Sequence, residues 1–561
     1  MNTPICDFVK EYASKNSVRM HMPGHKGRMV ISGASLDACV SVPSDRNKTG
    51  EGMDWERVMK YDITEIDGAD YLSAPSGIIA ESEANAGKLF GCSTFYSTEG
   101  SSLCIRAMMF LVKKYAKQKG HEPFILAGRN AHASFVNACA VLDIDVEWIM
   151  QRECDSYESC GITGEELDTI LCNLSDNQYG NESAENRNRE DFGCTVNYDS
   201  NRKTYLGRLP DAVYVTSPDY LGNMLDIKEL AEVCHKHGIL LLVDNAHGAY
   251  LKFLETSLHP MDLGADMCCD SAHKTLPVLT GGAYLHIASF EGPRPKISEL
   301  DIVKDVEFSD VSFFVRNARQ ALAIFATTSP SYLILHSLDQ CNVYLEDNGI
   351  IRETAVKVKA LKEKLTDAGY HIIGNEPLKI TLFFKSFADI HEKSCALKLT
   401  EYLKKSDIYV EYHDDEHMVL MFSGNTTDED FKKTETALLS FPGIMGETGY
   451  PMENIYRSPR NLKPGNGNKT DRDNKTLYEE LQDQETDISQ RKKPPIKAMS
   501  FMEAMLVQSE KVNVKKSIGR ILAQPVLNCP PCVPVYMCGE VIGEDILKIY
   551  SADSEISVVK S

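Results

Sequence analysis

The sequence predicts an α/β protein whose largest domain is a mainly parallel sheet covered by helices. Three observations carry that prediction. The runs Pro123–Ala127, Val146–Ile149, Ala212–Val215 and Ile239–Val243 are continuously apolar, as in strands buried on both faces. Helical stretches lie between them, such as Leu225 to His237, with Asp226 placed as its N-cap. Asp244 ends one apolar run and Lys274 follows about thirty residues later, and the strand ends of open α/β sheets are where ligands bind.

Taken in order, Met1 to Arg19 reads as a short amphipathic helix within a lead-in of residues 1–60, which also holds the unusual run His21-Met22-Pro23-Gly24-His25-Lys26-Gly27. Residues 61–345 form the large domain, interrupted at about 173–203 by a polar stretch that reads as a surface insertion. Residues 346–450 change character: a Lys-rich helix (352–368), a strand (378–384), a helix (395–405), two further strands (408–412 and 417–422) and a helix from Thr427 make a small α+β domain. Residues 451–497 read as a flexible linker rich in Asn, Asp, Lys, Gln and Pro, and 498–561 as a compact tail domain.

At 561 residues the chain is too long for one core. A net charge of −21 implies no basic face for nucleic acid and suits cationic small substrates better. No export signal and no membrane-spanning apolar stretch is expected. The 17 Cys lack framework spacing, so they read as reduced thiols of a cytoplasmic protein.

The chemistry starts at Lys274, in Asp270-Ser271-Ala272-His273-Lys274-Thr275. Partial burial lowers a lysine's pKa and favours the neutral amine that forms an imine. Beside it, Asp244 in Leu242-Val243-Asp244-Asn245-Ala246-His247 is either a helix N-cap or a carboxylate facing a ligand, and the pairing with Lys274 favours the second. A lysine amine for an aldehyde and an Asp for a pyridine nitrogen are what pyridoxal phosphate (PLP) needs. Ser97-Thr98-Glu99-Gly100-Ser101-Ser102 opens a helix over Leu103 to Lys117, and such a turn presents N–H groups to a phosphate. His132 follows a strand and can stack on a planar ring; His247 either faces the cofactor or packs.

In series these pieces resemble the bacterial ornithine/lysine/arginine decarboxylase family of aspartate aminotransferase-like, fold-type-I PLP enzymes. The resemblance runs through His21–Gly27, Asp62–Gly68, Pro75-Ser76-Gly77, Arg129-Asn130-Ala131-His132, Ser217–Gly222, Asp244–Gly248, Ser271–Leu276 and Thr327–Tyr332 with Leu338-Asp339. The layout is similar to the shorter Gram-positive-type members. The resemblance implies that Lys274 is the Schiff-base lysine, Asp244 pairs with the pyridine nitrogen and His132 stacks on the ring. It implies that Gly100, Ser101, Ser102, Ser271 and His273 hold the phosphate. It also implies a homodimer or higher oligomer, with Thr328 and Ser329 reaching a neighbouring subunit's site, and a basic amino acid as substrate: arginine, lysine or ornithine. The alternatives are another fold-type-I reaction, aminotransfer or elimination, and a non-catalytic regulatory subunit.

The chain departs from the family pattern in the tail, in the phosphate loop, and in the insertion at about 173–203 and the linker at 455–495. The tail reads Asn528-Cys529-Pro530-Pro531-Cys532-Val533-Pro534, then Met537-Cys538-Gly539-Glu540, where Glu540 keeps the position expected to face the substrate's distal cation. Cys529, Cys532 and Cys538 lack an evident fourth ligand and read as packed thiols, so no metal is expected. Glu99 stands in the phosphate loop, which is costly unless its carboxylate points away.

Overall fold

The computed structural model describes residues 1–14, 55–152, 155–176, 208–288, 308–347, 349–384, 394–442, 491–527, 531–551 and 553–560. The His21–Gly27 run, Cys529 and most of the expected insertion and linker lie outside the described residues.

The first described residues of the lead-in are part of the core. Helix α1 (Pro4–Ser14) buries Ile5, Cys6 and Val9, and the Cys6 N–H donates to Asp339 at 3.0 Å. After α2 (Trp55–Tyr61), the segment before α3 (Ile78–Phe90) turns around Asp70, whose φ is +69°. The Asp70 carboxylate accepts the N–H groups of Ser76 at 2.9 Å, Gly77 at 2.8 Å and Ile79 at 3.0 Å, so it caps α3 in place of the uncapping Gly77.

A seven-stranded sheet is the centre of the fold. Its strands are β1 (Ser93–Ser97), β2 (Phe124–Gly128), β3 (Asp145–Ile149), β4 (Ala212–Thr216), β5 (Leu240–Asp244), β6 (Met267–Asp270) and β7 (Ala283–Ile287), in the order β1-β7-β6-β5-β4-β2-β3. Only β7 is reversed, pairing antiparallel with both β1 and β6. The other strands therefore all run one way and deliver their C-terminal ends to one edge. The continuous apolar runs are explained by two-sided burial. Tyr214 and Leu242 pack under α4 (Gly100–Gln118) and α5 (Ala133–Leu142). Val213, Val215, Leu241 and Val243 pack under α6 (Gly164–Asp176) and α7 (Ile227–Lys236). Asp226 caps α7 as expected, accepting the Glu229 N–H at 3.0 Å. The insertion was expected from about residue 173, but residues 173–176 are the last turn of α6.

After the short α8 (Ala272–Thr275) come α9 (Phe308–Ala323), α10 (Tyr332–Glu346) and α11 (Gly349–Asp367). A four-stranded antiparallel sheet follows, in the order β10-β11-β9-β8, from β8 (Ile372–Ile373), β9 (Lys379–Phe383), β10 (Tyr412–His413) and β11 (His417–Met421). Helices α12 (Cys395–Lys405) and α13 (Asp428–Leu439) accompany it, the latter opened by a Thr427–Asp430 capping box.

The tail is tied down earlier than expected. Arg491, inside the expected linker, is buried and donates to Met150 O at 2.5 Å and Glu166 at 2.9 Å. Beyond it, β12 (Ser509–Asn513) pairs with β15 (Glu555–Val559), and β13 (Val526–Leu527) with β14 (Pro534–Tyr536). Cys538 packs in the core beneath α4 and α5. No helix among the described residues is long and apolar enough to cross a membrane.

Candidate active site

The strand ends converge on a cavity of about 200 Å³. Register explains the convergence: Thr216 at the end of β4 lies opposite Asp244 at the end of β5, and Asp244 lies opposite Cys269 near the end of β6. Lys274 follows β6 by one turn of helix, and His132 follows β2 as the N-cap of α5. All of these except Cys269 line the cavity, together with Gly100, Ser101, Ser102, His247, Ser271 and His273. The structure thus brings together every residue that the sequence proposed for cofactor contact.

Asp244 is 2% exposed. Its Oδ2 accepts from the Tyr214 hydroxyl at 3.1 Å and its Oδ1 from the Ala246 N–H at 3.2 Å. Those contacts fix the carboxylate at the cavity wall instead of releasing it as a helix cap. Lys274 is exposed and lines the cavity, and desolvation by the surrounding protein lowers its pKa. The neighbouring charge of Asp244 opposes that shift. Lys274 Nζ sits 2.9 Å from His247 Nε2. Burial, then the nearby Lys274 and Lys379, push the His247 pKa well below its usual value, so the ring is neutral.

His132 caps its own helix. Its Nδ1 accepts the Ser134 N–H at 3.1 Å, which leaves the proton of the neutral ring on Nε2. Burial lowers its pKa too.

Hydroxyls gather at the start of α4. Ser271 Oγ donates to Ser101 Oγ at 2.7 Å, and Ser134 Oγ to Ser102 Oγ at 2.7 Å. Gly100 adopts φ +72°, with open space where a Cβ would stand, and its N–H donates to Gly281 O at 2.7 Å. Gly281, at φ +99°, is needed there: a Cβ would lie 2.8 Å from Thr98 O. Glu99 does point away, its carboxylate accepting the Thr327 N–H at 2.7 Å. The side chain therefore leaves the helix N-terminus clear of negative charge.

These residues fit PLP on the chemistry of the donor set: a cavity-facing lysine, a fixed carboxylate, and hydroxyls at a helix N-terminus. A further sign is Thr216 Oγ1, a buried hydroxyl at the cavity wall with no hydrogen-bond partner among the described protein groups.

Glu540 is corrected. It does not line the cavity; both its oxygens are taken by Arg129, at 2.7 and 2.8 Å, and one also accepts the Met537 N–H at 2.8 Å. The pair is almost fully buried, with 3% and 4% side-chain exposure, and joins the tail to the loop after β2. Removing one partner of such a pair strands the other charge, so Glu540→Ala is expected to cost about 3–5 kcal/mol in denaturant melts. A change below about 1 kcal/mol would contradict the anchoring role.

Several lining residues carried no role in the sequence reading. Asn130 and Glu158 stand beyond β2 and β3, Tyr220 follows β4, and the tail supplies Pro531 and Val533. Thr328 and Ser329 are exposed on this chain and do not reach its own cavity.

A mainly parallel sheet with a lysine, a carboxylate and a hydroxyl-rich helix N-terminus at its C-terminal edge is the fold-type-I, aspartate aminotransferase-like class. Residues 3–382 match the family model of the Orn/Lys/Arg decarboxylase major domain, and the chain belongs to the Orn/Lys/Arg decarboxylase family. It is 26% identical to an arginine decarboxylase of Bacillus subtilis over 97% of this chain and 92% of that protein. It is 25% identical to an arginine decarboxylase of Halalkalibacterium halodurans over 97% and 92%. In fold it is similar to the Francisella novicida lysine decarboxylase LdcF, with a TM-score of 0.67, 15% identity, and coverage of 100% of this chain and 81% of that one. The constitutive lysine decarboxylase of E. coli gives a TM-score of 0.64 at 14% identity, with 100% and 82% covered.

Proposed function

We propose that this chain is a PLP-dependent decarboxylase of a basic amino acid, converting arginine, lysine or ornithine to its amine and CO2. The observation that carries the proposal is the placement of Lys274 and Asp244 at neighbouring strand ends, facing one cavity beside the α4 hydroxyls. The relatives described as arginine decarboxylases support the substrate class.

Lys274 would hold the cofactor through its amine, Asp244 would keep the pyridine nitrogen protonated, and His132 would cover the ring face. Ser101, Ser102, Ser271 and His273 would hold the phosphate, with Gly100 giving it room. Bound there, PLP supplies an electron sink for the pair left when the Cα–carboxylate bond breaks. The chain's own groups do the rest. The walls would orient the carboxylate and exclude water, and Lys274 would be placed to return a proton to Cα. A homodimer, with Thr328 and Ser329 directed at the partner's site, and a cytoplasmic location belong to the same proposal. So does the division into large, small and tail domains.

Supplying PLP-loaded protein with each of the three amino acids tests it. One of them is expected to yield CO2 and the matching amine in equal amounts. A keto acid in place of CO2 would mean aminotransfer, and no turnover of any of the three would remove the decarboxylase reading.

A further inference from the structure

Lys379 opens β9 in the small sheet, 3% exposed, yet its amine reaches the large-domain cavity wall. Nζ lies 3.2 Å from Asp219 O, 3.2 Å from Tyr220 O and 3.4 Å from His247 Nδ1. Three acceptors match the three N–H bonds of an ammonium. Two are carbonyls, which can only accept. The third is one side of an imidazole whose other side faces Lys274 at 2.9 Å. Tyr220 stands edge-on to the same ring at 5.3 Å and helps fix its plane.

A neutral imidazole has one N–H and one lone pair. If Lys379 donates to Nδ1, the ring proton sits on Nε2 and points at Lys274 Nζ. That contact is a hydrogen bond only if Lys274 offers a lone pair, which a free amine does and an ammonium does not. The opposite arrangement, a charged Lys274 donating to Nε2, would turn an Nδ1–H against the N–H groups of Lys379. The partners of Lys379 separate the cases, because two of them are carbonyls that can only accept. Burial lowers the pKa of Lys379, opposed by Glu376, Asp219 and Glu411, and the two carbonyl acceptors at 3.2 Å hold its N–H groups. At Lys274, Asp244 and Glu411 favour the charged form, while burial and the Lys379 charge oppose it.

We propose that Lys379 is a positioning residue: from the small sheet it fixes the His247 tautomer, so that His247 donates to Lys274 and holds it as the free amine that can attack an aldehyde. The proposal rests on Lys274 being the cofactor-binding amine, but it concerns a property of the protein before any cofactor arrives.

The test uses the full-length protein without cofactor. Acetylation of Lys274 by acetic anhydride is followed against pH by mass spectrometry, in the wild type, Lys379→Met, His247→Phe and the double variant. On the acid side of the profile, below the Lys274 pKa, Lys379→Met is expected to slow Lys274 acetylation about ten-fold, the consequence of a rise of one in that pKa. In the His247→Phe background the same change is expected to have less than about half that effect on the logarithm of the rate, because the connecting ring is gone. Equal effects in the two backgrounds would mean that the Lys379 charge acts through space, and no effect in either would mean that it does not act at all; both overturn the proposal. If Lys379→Met loses its cooperative melt, the tautomer is read directly from 15N-histidine-labelled wild-type protein. A protonated Nε2 with a bare Nδ1 on His247 supports the proposal, and the reverse overturns it. Neither readout requires decarboxylation. A wild type that fails to bind PLP would therefore count against the proposed function and leave this result standing.

Discussion

Lys274→Ala protein, supplied with PLP and the substrate amino acid, is expected to release amine at no more than roughly a thousandth of the wild-type rate. The substitution removes the covalent hold on the cofactor and the amine best placed to return the proton to Cα. It should do so without unfolding the protein. Lys274 faces the cavity, and its hydrogen-bond partner, His247, keeps Lys379 on its other side. The melting midpoint is therefore expected to stay close to that of the wild type. Amine release preserved in a well-folded Lys274→Ala protein would remove the assignment of Lys274, and the PLP chemistry with it.

The second large effect belongs to Asp244→Asn. The amide keeps the shape of the carboxylate and can still accept the Ala246 N–H, which now lies 3.2 Å from Oδ1. What it loses is the negative charge that would hold the pyridine nitrogen protonated. Turnover is expected to fall by roughly two to three orders of magnitude, the scale of losing one preorganised electrostatic partner. Cofactor capture by Lys274 should persist, and this separates the two variants. Lys274→Ala fails to hold PLP covalently, whereas Asp244→Asn holds it and works slowly. An Asp244→Asn enzyme with near wild-type turnover would return Asp244 to a structural role.

The parts legible in the sequence were those encoded locally. Continuous apolar runs gave strands because both faces of β4 and β5 are buried, and the Ser271–Lys274 and Asp244–His247 segments bring their own turns with them. Strand direction was less legible. Nothing in Ala283–Ile287 distinguishes a reversed strand, since β7 is as buried and apolar as its parallel neighbours. Long-range pairing was not legible at all. Glu540 sits in a recognisable motif, but the arginine that occupies it is 411 residues away in sequence. Arg491 read as part of a polar linker because its acceptors, Met150 and Glu166, come from the other end of the chain.

Lys379 shows the same limit most sharply. In Lys379-Ile380-Thr381-Leu382, alternation suggests a polar face turned to solvent. Instead that face meets the loop after β4: Lys379 donates to the carbonyls of Asp219 and Tyr220, and Thr381 to that of Leu221 at 2.7 Å. Alternating polarity marks a face but not what covers it. The available signal was composition, a Lys and a Thr in a strand too short to spare positions.

The account turns on which lysine takes the cofactor, and Lys379 is the natural internal control. Wild-type protein incubated with PLP is reduced with borohydride, digested and read by peptide mass spectrometry. A pyridoxyl group on Lys274 alone, in amounts matching the protein, is the predicted result; label on Lys379 or on surface lysines, with Lys274 unmodified, would contradict it.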